Sequence, residues 1–291
     1  MTETIAAPAA DKQHLMGPKV LLMGLGGKGK TYSIGTAVDW AAANGFEVAV
    51  LFTENSTETL LGYWRDKNQP VPANLFWHQQ ATKPLTLAKL IDSADKVGKL
   101  SYEMLTKSVD TNRSGDNNAF LKILNSCANF IDDRTGKSLG AVESFPLKRI
   151  FVIDSLTELA NAAMKMQVGS RPTAAPPDYG VAQGNLMNFL RLCTQGIECP
   201  FIITSHIDRE IDAVMQTPKI MVKSIGKALY TDIPPLFSEV LYAISEGDKF
   251  YWDTNAYGVD TKTRSLGIRS KIDPNFAQIF DVWAKRAGLT K

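Results

Sequence analysis

Four apolar runs punctuate the chain: "KVLLMG" (19–24), "FEVAVLFTE" (46–54), "RIFVID" (149–154) and "CPFIITSH" (199–206). Each stays almost free of polar residues until its last positions. Continuous runs of this kind fit strands buried on both faces, so they predict a parallel sheet. Between them the spacing is helical. "TYSIGTAVDWAAANG" sets Ile34, Val38, Ala41 and Ala42 on one face and stops at Gly45. "STETLLGYWRDKNQ" predicts a helix capped by Ser56 or Thr57, and "SLTELANAAMKMQ" and "DYGVAQGNLMNFLRLCTQG" predict two more. The Pro/Gly/Ala-rich "VGSRPTAAPPDYG" between the last two predicts a loop. Strands alternating with helices define the expected class: α/β, with a mostly parallel central sheet flanked by helices.

The remaining stretches extend this plan. "NLFWHQ" (74–79) fits a strand, and "LTLAKLIDSADKVGKL" and "NNAFLKILNSCANFIDDRTG" fit helices around a polar loop. Residues 80–146 therefore read as a helical insertion or an elaborated crossover. "SEVLYAISEGDKFYWDTN" predicts a strand pair turning at Glu246-Gly247-Asp248. "DPNFAQIFDVWAKRAG" predicts a terminal amphipathic helix capped by Asp273, with Pro274 at its first position. The Ala/Pro/Thr-rich start reads as a flexible arm over 1–17, followed by one domain over 18–291.

Composition changes this picture little. The 291 residues are 44% hydrophobic and 21% charged with a formal net charge of +2, so any nucleic-acid surface has to be local. Cys127, Cys193 and Cys199 show neither C-x-x-C nor metal-ligand spacing with His14, His78 and His206. A reduced, cytoplasmic protein is expected. No run of 18 apolar residues predicts a membrane span, and the N-terminus lacks the basic start and apolar core of a secretory signal.

The chemistry starts at "GLGGKGKTYS". Gly24, Gly26 and Gly29 match the dinucleotide fingerprint G-x-G-x-x-G. Gly24, Gly29, Lys30 and Thr31 match the phosphate loop G-x-x-x-x-G-K-T. A phosphate loop needs a lysine for the β- and γ-phosphates and a hydroxyl for Mg²⁺, and Lys30 and Thr31 stand at those offsets. Leu25, Gly27, Lys28 and Tyr32 complete the loop and its exit into a helix whose positive end favours anions. Glu54 fits the ribose-binding acid of the dinucleotide reading, so that reading has content. Asp154 favours the other: it closes an apolar strand, as a second Mg²⁺-holding carboxylate does. Glu54 then stands on the same rim of the sheet, where a carboxylate can orient or deprotonate the attacking water. His206 ends the fourth run and is a candidate γ-phosphate sensor; Thr204 and Ser205 are weaker candidates of the same kind.

With "LFTE", "FVIDSLTEL" and "ITSH" following the loop in this order, the chain resembles the RecA-like ATPase core. "DYG" (178–180), "IGKALYTDIPPLFSEVLYA" (225–243) and "DTKTRSLG" (260–267) are similar to the phage-encoded branch that includes Sak-type single-strand annealing proteins. The resemblance covers about 18–282. His206 departs from the glutamine usual in bacterial RecA, and 80–146 is no part of a minimal core.

The resemblance implies ATP and Mg²⁺ as cofactors, with Glu54 activating water, Asp154 and Thr31 at the metal and His206 at the γ-phosphate. It implies single-stranded DNA as partner, held by loops near 165–178 (Lys165, Arg171) and 207–228 (Lys219, Lys223, Lys227), with Ile220 and Met221 as candidate wedges between bases. It implies a homo-oligomer, ring or filament, with ATP at subunit interfaces and Lys262 and Arg264 reaching a neighbour's γ-phosphate. A single-strand-binding protein is a further implied partner, and a membrane is not. The task implied is strand annealing or recombination in a phage setting. Two alternatives stay open: another ATP-driven DNA motor, helicase-like or packaging, and a nucleotide-gated binding module with little turnover.

Overall fold

A computed structural model describes residues 15–80, 87, 88, 91, 94, 95, 118–169, 173–211 and 217–289. The strands are β1 (Lys19–Gly24), β2 (Glu47–Phe52), β3 (Leu75–Gln79), β4 (Phe130–Ile131), β5 (Ser138–Gly140), β6 (Arg149–Asp154), β7 (Phe201–Ser205), β8 (Ile207–Ile211), β9 (Pro218–Val222), β10 (Glu239–Glu246) and β11 (Lys249–Asp253). Seven of them form one sheet in the order β11-β10-β1-β7-β6-β2-β3. All its neighbours run parallel except the hairpin β10–β11.

The helices are α1 (Lys30–Asn44), α2 (Thr57–Arg65), α3 (Ala119–Ala128), α4 (Leu156–Val168), α5 (Pro176–Arg191), α6 (Leu229–Asp232) and α7 (Ala277–Arg286). They cover both faces of the sheet. Because strand side chains alternate, Val20, Leu22, Val48, Val50, Ile150 and Val152 meet α1, α2 and α7. Leu21, Met23, Ala49, Leu51, Phe151 and Ile153 meet α3, α4 and α5 on the other face. That double cover is the physical reason the central strands read as unbroken apolar runs.

Several boundaries fall differently from the expectations above. "NNAFLKILNSCANFIDDRTG" is helical only to Ala128; Phe130 then enters the core and β4 and β5 pair as an antiparallel hairpin. Its turn is built by Asp132, whose Oδ2 accepts from the Thr135 N–H (3.0 Å) and hydroxyl (2.5 Å), and by Gly136 at φ 70°. The described part of 80–146 thus mixes helix with a hairpin, and 81–86 and 96–117 lie outside the described residues. α5 starts earlier than expected, with Pro176 at its first turn, because a proline there surrenders no helical hydrogen bond. α7 starts later: Asp273 and Pro274 form a turn, and the helix opens after Phe276, whose N–H donates to Thr36 Oγ1 (2.9 Å). β8 and β9 form a separate antiparallel hairpin where flexible loop was expected.

Helix α1 packs on α2 through Gly35. A Cβ there would come within 2.3 Å of the Tyr63 ring, whose hydroxyl donates to Asp39 Oδ2 at 2.9 Å. Intrinsic helix propensity favours alanine over glycine by about 1 kcal/mol. Overpacking opposes it with about 1–3 kcal/mol. Gly35→Ala is therefore expected to lower the melting temperature, and a rise on thermal unfolding would refute this packing.

Candidate functional site

The phosphate loop links β1 to α1 across residues 25–29. Gly27 (φ 70°) and Gly29 (φ 74°) adopt left-handed conformations that favour glycine, and Gly29 also lies beneath the Phe250 ring, 3.2 Å from where a Cβ would stand. The first turn of α1 holds no acid of its own, and the carboxylate nearest its positive end is Asp154, which accepts from the Thr31 hydroxyl. Lys30 is buried and its Nζ donates to the carbonyls of Gly24 (2.9 Å) and Leu25 (2.8 Å). Burial pulls the Lys30 ammonium below its ordinary pKa, and Asp154 and Glu54 pull the other way.

Asp154 is the centre of the site. It is 1% exposed and accepts hydroxyls from Thr31 (Oδ2, 2.9 Å), Ser56 (Oδ2, 2.6 Å) and Thr204 (Oδ1). The backbone behind it is tied as tightly: the Thr53 N–H donates to the Asp154 carbonyl (2.8 Å), and Thr53 Oγ1 exchanges bonds with Ser155 N–H and carbonyl (2.8 and 2.9 Å). Glu54 follows in the same turn, its carbonyl held by the Ser56 N–H (2.9 Å) and Gln79 Nε2 (2.7 Å). Its carboxylate lies 4.0 Å from His206 Nε2. Loop residues 26–29, Lys30, Thr31, Glu54, Ser56, Asp154 and His206 line one cleft of about 260 Å³.

A second, larger cleft of about 440 Å³ abuts the first across Gly29 and Tyr32. Tyr63, Lys67, Phe250, Asp273 and Asn275 complete its walls. Sequence reasoning reached Tyr32 but missed the rest. They come from α2, the β11 edge and the turn before α7, and no local motif marks them. The tip of the β10–β11 hairpin also secures the loop, through Phe250 on Gly29 and Lys28 Nζ donating to Ser245 Oγ (2.7 Å).

The other expected residues lie elsewhere. Lys262 bridges Val240 through its backbone, and the Arg264 N–H donates to the buried Glu239 carboxylate (3.1 and 3.2 Å). Both belong to the start of β10, the opposite end of the sheet from the phosphate loop, since Val20 pairs with Glu239. They do not approach this chain's own loop. Lys165 is exposed near the end of α4, and Arg171 lies outside the described residues. Lys219 and Lys223 are exposed on and beside β9, while Lys227 pairs with Glu210 at 2.6 Å. Met221 is buried, so it packs in the core and is no wedge between bases. Ser205 is buried too and donates to the His206 carbonyl (2.9 Å). Thr204 is likewise no sensor by contact, because its hydroxyl is spent on Asp154.

The sheet order differs from that of the usual dinucleotide fold. In the usual dinucleotide fold the second strand lies beside the first and carries the ribose-binding acid. Here β7 and β6 separate β1 from β2, about 14 Å at ordinary strand spacing. Glu54 meets the phosphate cleft and Asp154 instead. The donor set also fits Mg²⁺, which prefers oxygen ligands and is held by one or two carboxylates together with substrate phosphates. Thr31 and Asp154 are such a set, and among the described residues no group of three or more His, Cys, Asp or Glu forms a dedicated cage.

The glycine-rich loop joins β1 to α1 at one rim of a mostly parallel, helix-flanked sheet in which β7 is inserted between β1 and the Asp154 strand. No protein-family model matches the chain, and no curated protein matches it. Among solved structures, the flagellar accessory protein FlaH from Methanocaldococcus jannaschii aligns over 82% of this chain and 76% of its own, at 12% identity and a TM-score of 0.34. The ATPase EscN, solved with its central stalk EscO from the enteropathogenic E. coli type III secretion system, aligns over 87% of this chain at 10% identity and a TM-score of 0.43. The match spans 49% of EscN, about half its length.

His206 offers a direct check on this geometry. Burial, and next Lys30, hold its imidazole below the ordinary 6.5, with Glu54 opposing. As pH falls, the unfolded chain therefore takes up this proton before the folded one, and stability declines below about pH 6.5. His206→Gln is expected to lose less melting temperature than wild type between about pH 7.5 and about pH 5.5. Identical losses in thermal unfolding would rule out this environment for His206.

Proposed function

We propose that this chain binds ATP with Mg²⁺ and hydrolyses it. The observation that carries the reading is the convergence of Lys30, Thr31, Asp154 and Glu54 on one cleft at the N-terminus of α1. The loop N–H groups and α1 bind the polyphosphate, and Lys30 leaves the two loop carbonyls to serve the outer phosphates. Thr31 and Asp154 hold Mg²⁺, which supplies charge neutralisation on the phosphates when bound. Glu54 orients and deprotonates water, and His206, close to Glu54 and held below its ordinary pKa by burial, offers a hydrogen bond to the γ-phosphate. The nucleoside occupies the aromatic cleft beyond Tyr32.

We further propose that ATP turnover serves binding and annealing of single-stranded DNA by an oligomer. The resemblance to phage-encoded annealing proteins supports this, together with exposed Lys219 and Lys223 on the β8–β9 hairpin, which follows directly from His206. Lys165, Arg171 and Lys227 complete the DNA set, with Lys227 the weakest member because Glu210 neutralises it. Lys262 and Arg264, remote from their own loop, are assigned to a neighbour's γ-phosphate, where such cations stabilise transition-state charge.

Steady-state ATPase assays with and without single-stranded DNA test both levels. Wild type is expected to hydrolyse ATP faster with DNA, and Lys30→Ala to be inactive in either condition. Glu54→Gln is expected to keep nucleotide binding and lose roughly 10²–10⁴-fold in turnover. Hydrolysis untouched by Lys30→Ala would overturn the phosphate-site reading. ATP-dependent unwinding of duplex DNA would replace annealing with a motor.

A further inference from the structure

Ser56 occupies the N-cap position of α2, where a serine normally accepts a hydrogen bond from a first-turn N–H. It makes no such bond. Its hydroxyl instead donates to Asp154 Oδ2 at 2.6 Å, beside the Thr31 hydroxyl at 2.9 Å. A carboxylate oxygen has about two acceptor positions, so these two hydroxyls fill Oδ2. Thr204 occupies the other oxygen, and it does not line the phosphate cleft, whereas Thr31 and Ser56 do. Of the roughly four acceptor positions on the carboxylate three are taken, and both of those on Oδ2 are filled by hydroxyls of residues that line the cleft. The backbone of Ser56 is joined to the Glu54 turn, its N–H donating to the Glu54 carbonyl at 2.9 Å.

We propose that Ser56 is a latch that competes with the metal for Asp154 and so links metal loading to the position of Glu54. This rests on the phosphate-site reading above. Oδ2 is the oxygen that Thr31 shares, and Mg²⁺ held through it would displace one of its two hydroxyls. Thr31 belongs to the metal-holding set, so Ser56 is the donor that yields. Its release removes the side-chain tie from this turn to Asp154, leaving the Ser56 N–H and Gln79 bonds to the Glu54 carbonyl, and so loosens the Glu54 carboxylate toward the water it activates. Until metal and nucleotide arrive, the latch holds Glu54 in place near His206. Ser56 is thus a positioning residue.

The test uses Mn²⁺ as probe, followed by electron paramagnetic resonance in saturating ADP. One neutral-to-charged hydrogen bond removed from the competing state corresponds to about a ten- to hundredfold change in affinity. Ser56→Ala is expected to bind Mn²⁺ that much more tightly than wild type, and Ser56→Thr, which keeps the hydroxyl, to match wild type. ADP affinity in EDTA, expected to be equal in all three, shows that the loop is intact. Amide hydrogen exchange over residues 53–60 is the second readout: Mn²⁺ with ADP is expected to speed it in wild type, and Ser56→Ala to exchange at the faster rate before metal is added. Equal or weaker Mn²⁺ binding by Ser56→Ala, or exchange that metal leaves unchanged in wild type, overturns the latch alone. No ADP-dependent Mn²⁺ binding by wild type removes the phosphate-site reading and the latch with it.

Discussion

One buried carboxylate organises this molecule. Asp154 is almost wholly withdrawn from water, and an ionised carboxylate in that position is costly unless hydrogen bonds satisfy it. Three hydroxyls do so, from the first turn of α1, the end of β7 and the turn after β2. Bonds to a charged acceptor are about twice as strong as neutral ones, so each of those elements is drawn to the same point. The sheet order makes the convergence possible. β6, which carries Asp154, lies between β7 and β2, so Thr204 and Thr53 reach it from opposite sides, and α1 closes over the rim.

The site divides into two clefts because the loop is held from behind as well as in front. Lys28 reaches Ser245 and Phe250 covers Gly29, so the tip of the β10–β11 hairpin fixes the outer side of the loop. The antiparallel edge of a parallel sheet is thereby given a job at the site. Its aromatic face, with Tyr32 and Tyr63, forms a wall of the second cleft. The first cleft is lined almost wholly by polar and charged groups, whereas the second sets the aromatic rings of Tyr32, Tyr63, Phe250 and Tyr251 among Lys67, Lys249 and Asp273.

How much of this could be read from the chain depends on the range of the interactions. β1, β2, β6 and β7 were legible because burial on both faces leaves unbroken apolar runs. Lys30, Thr31 and Asp154, which the structure brings into one cleft, stood out in the chain because the glycine motif spans only eight residues and the acid ends an apolar strand. Pairing with distant partners was not legible. Ser56 has the look of a helix cap and gives its hydroxyl to a residue 98 positions away. Phe250 and Asp273 reach the site only because β11 and the turn before α7 pack against α1. The β8–β9 hairpin carries no Gly- or Asn-bearing turn signal between its strands, and the Asp132 turn hid within a helical pattern. Lys262 and Arg264 have local signals of charge, yet their place at the far end of β10 follows from the strand register alone.

The central claim is that Asp154 and the loop together make a metal-dependent phosphate site. Calorimetric titration of ATP analogue into wild type and Asp154→Asn, each with Mg²⁺ and with EDTA, examines it most directly. Wild type is expected to bind more tightly with Mg²⁺ than with EDTA, and Asp154→Asn to bind equally in both. Binding that ignores Mg²⁺ in wild type, or an Mg²⁺ effect that survives in Asp154→Asn, would contradict it.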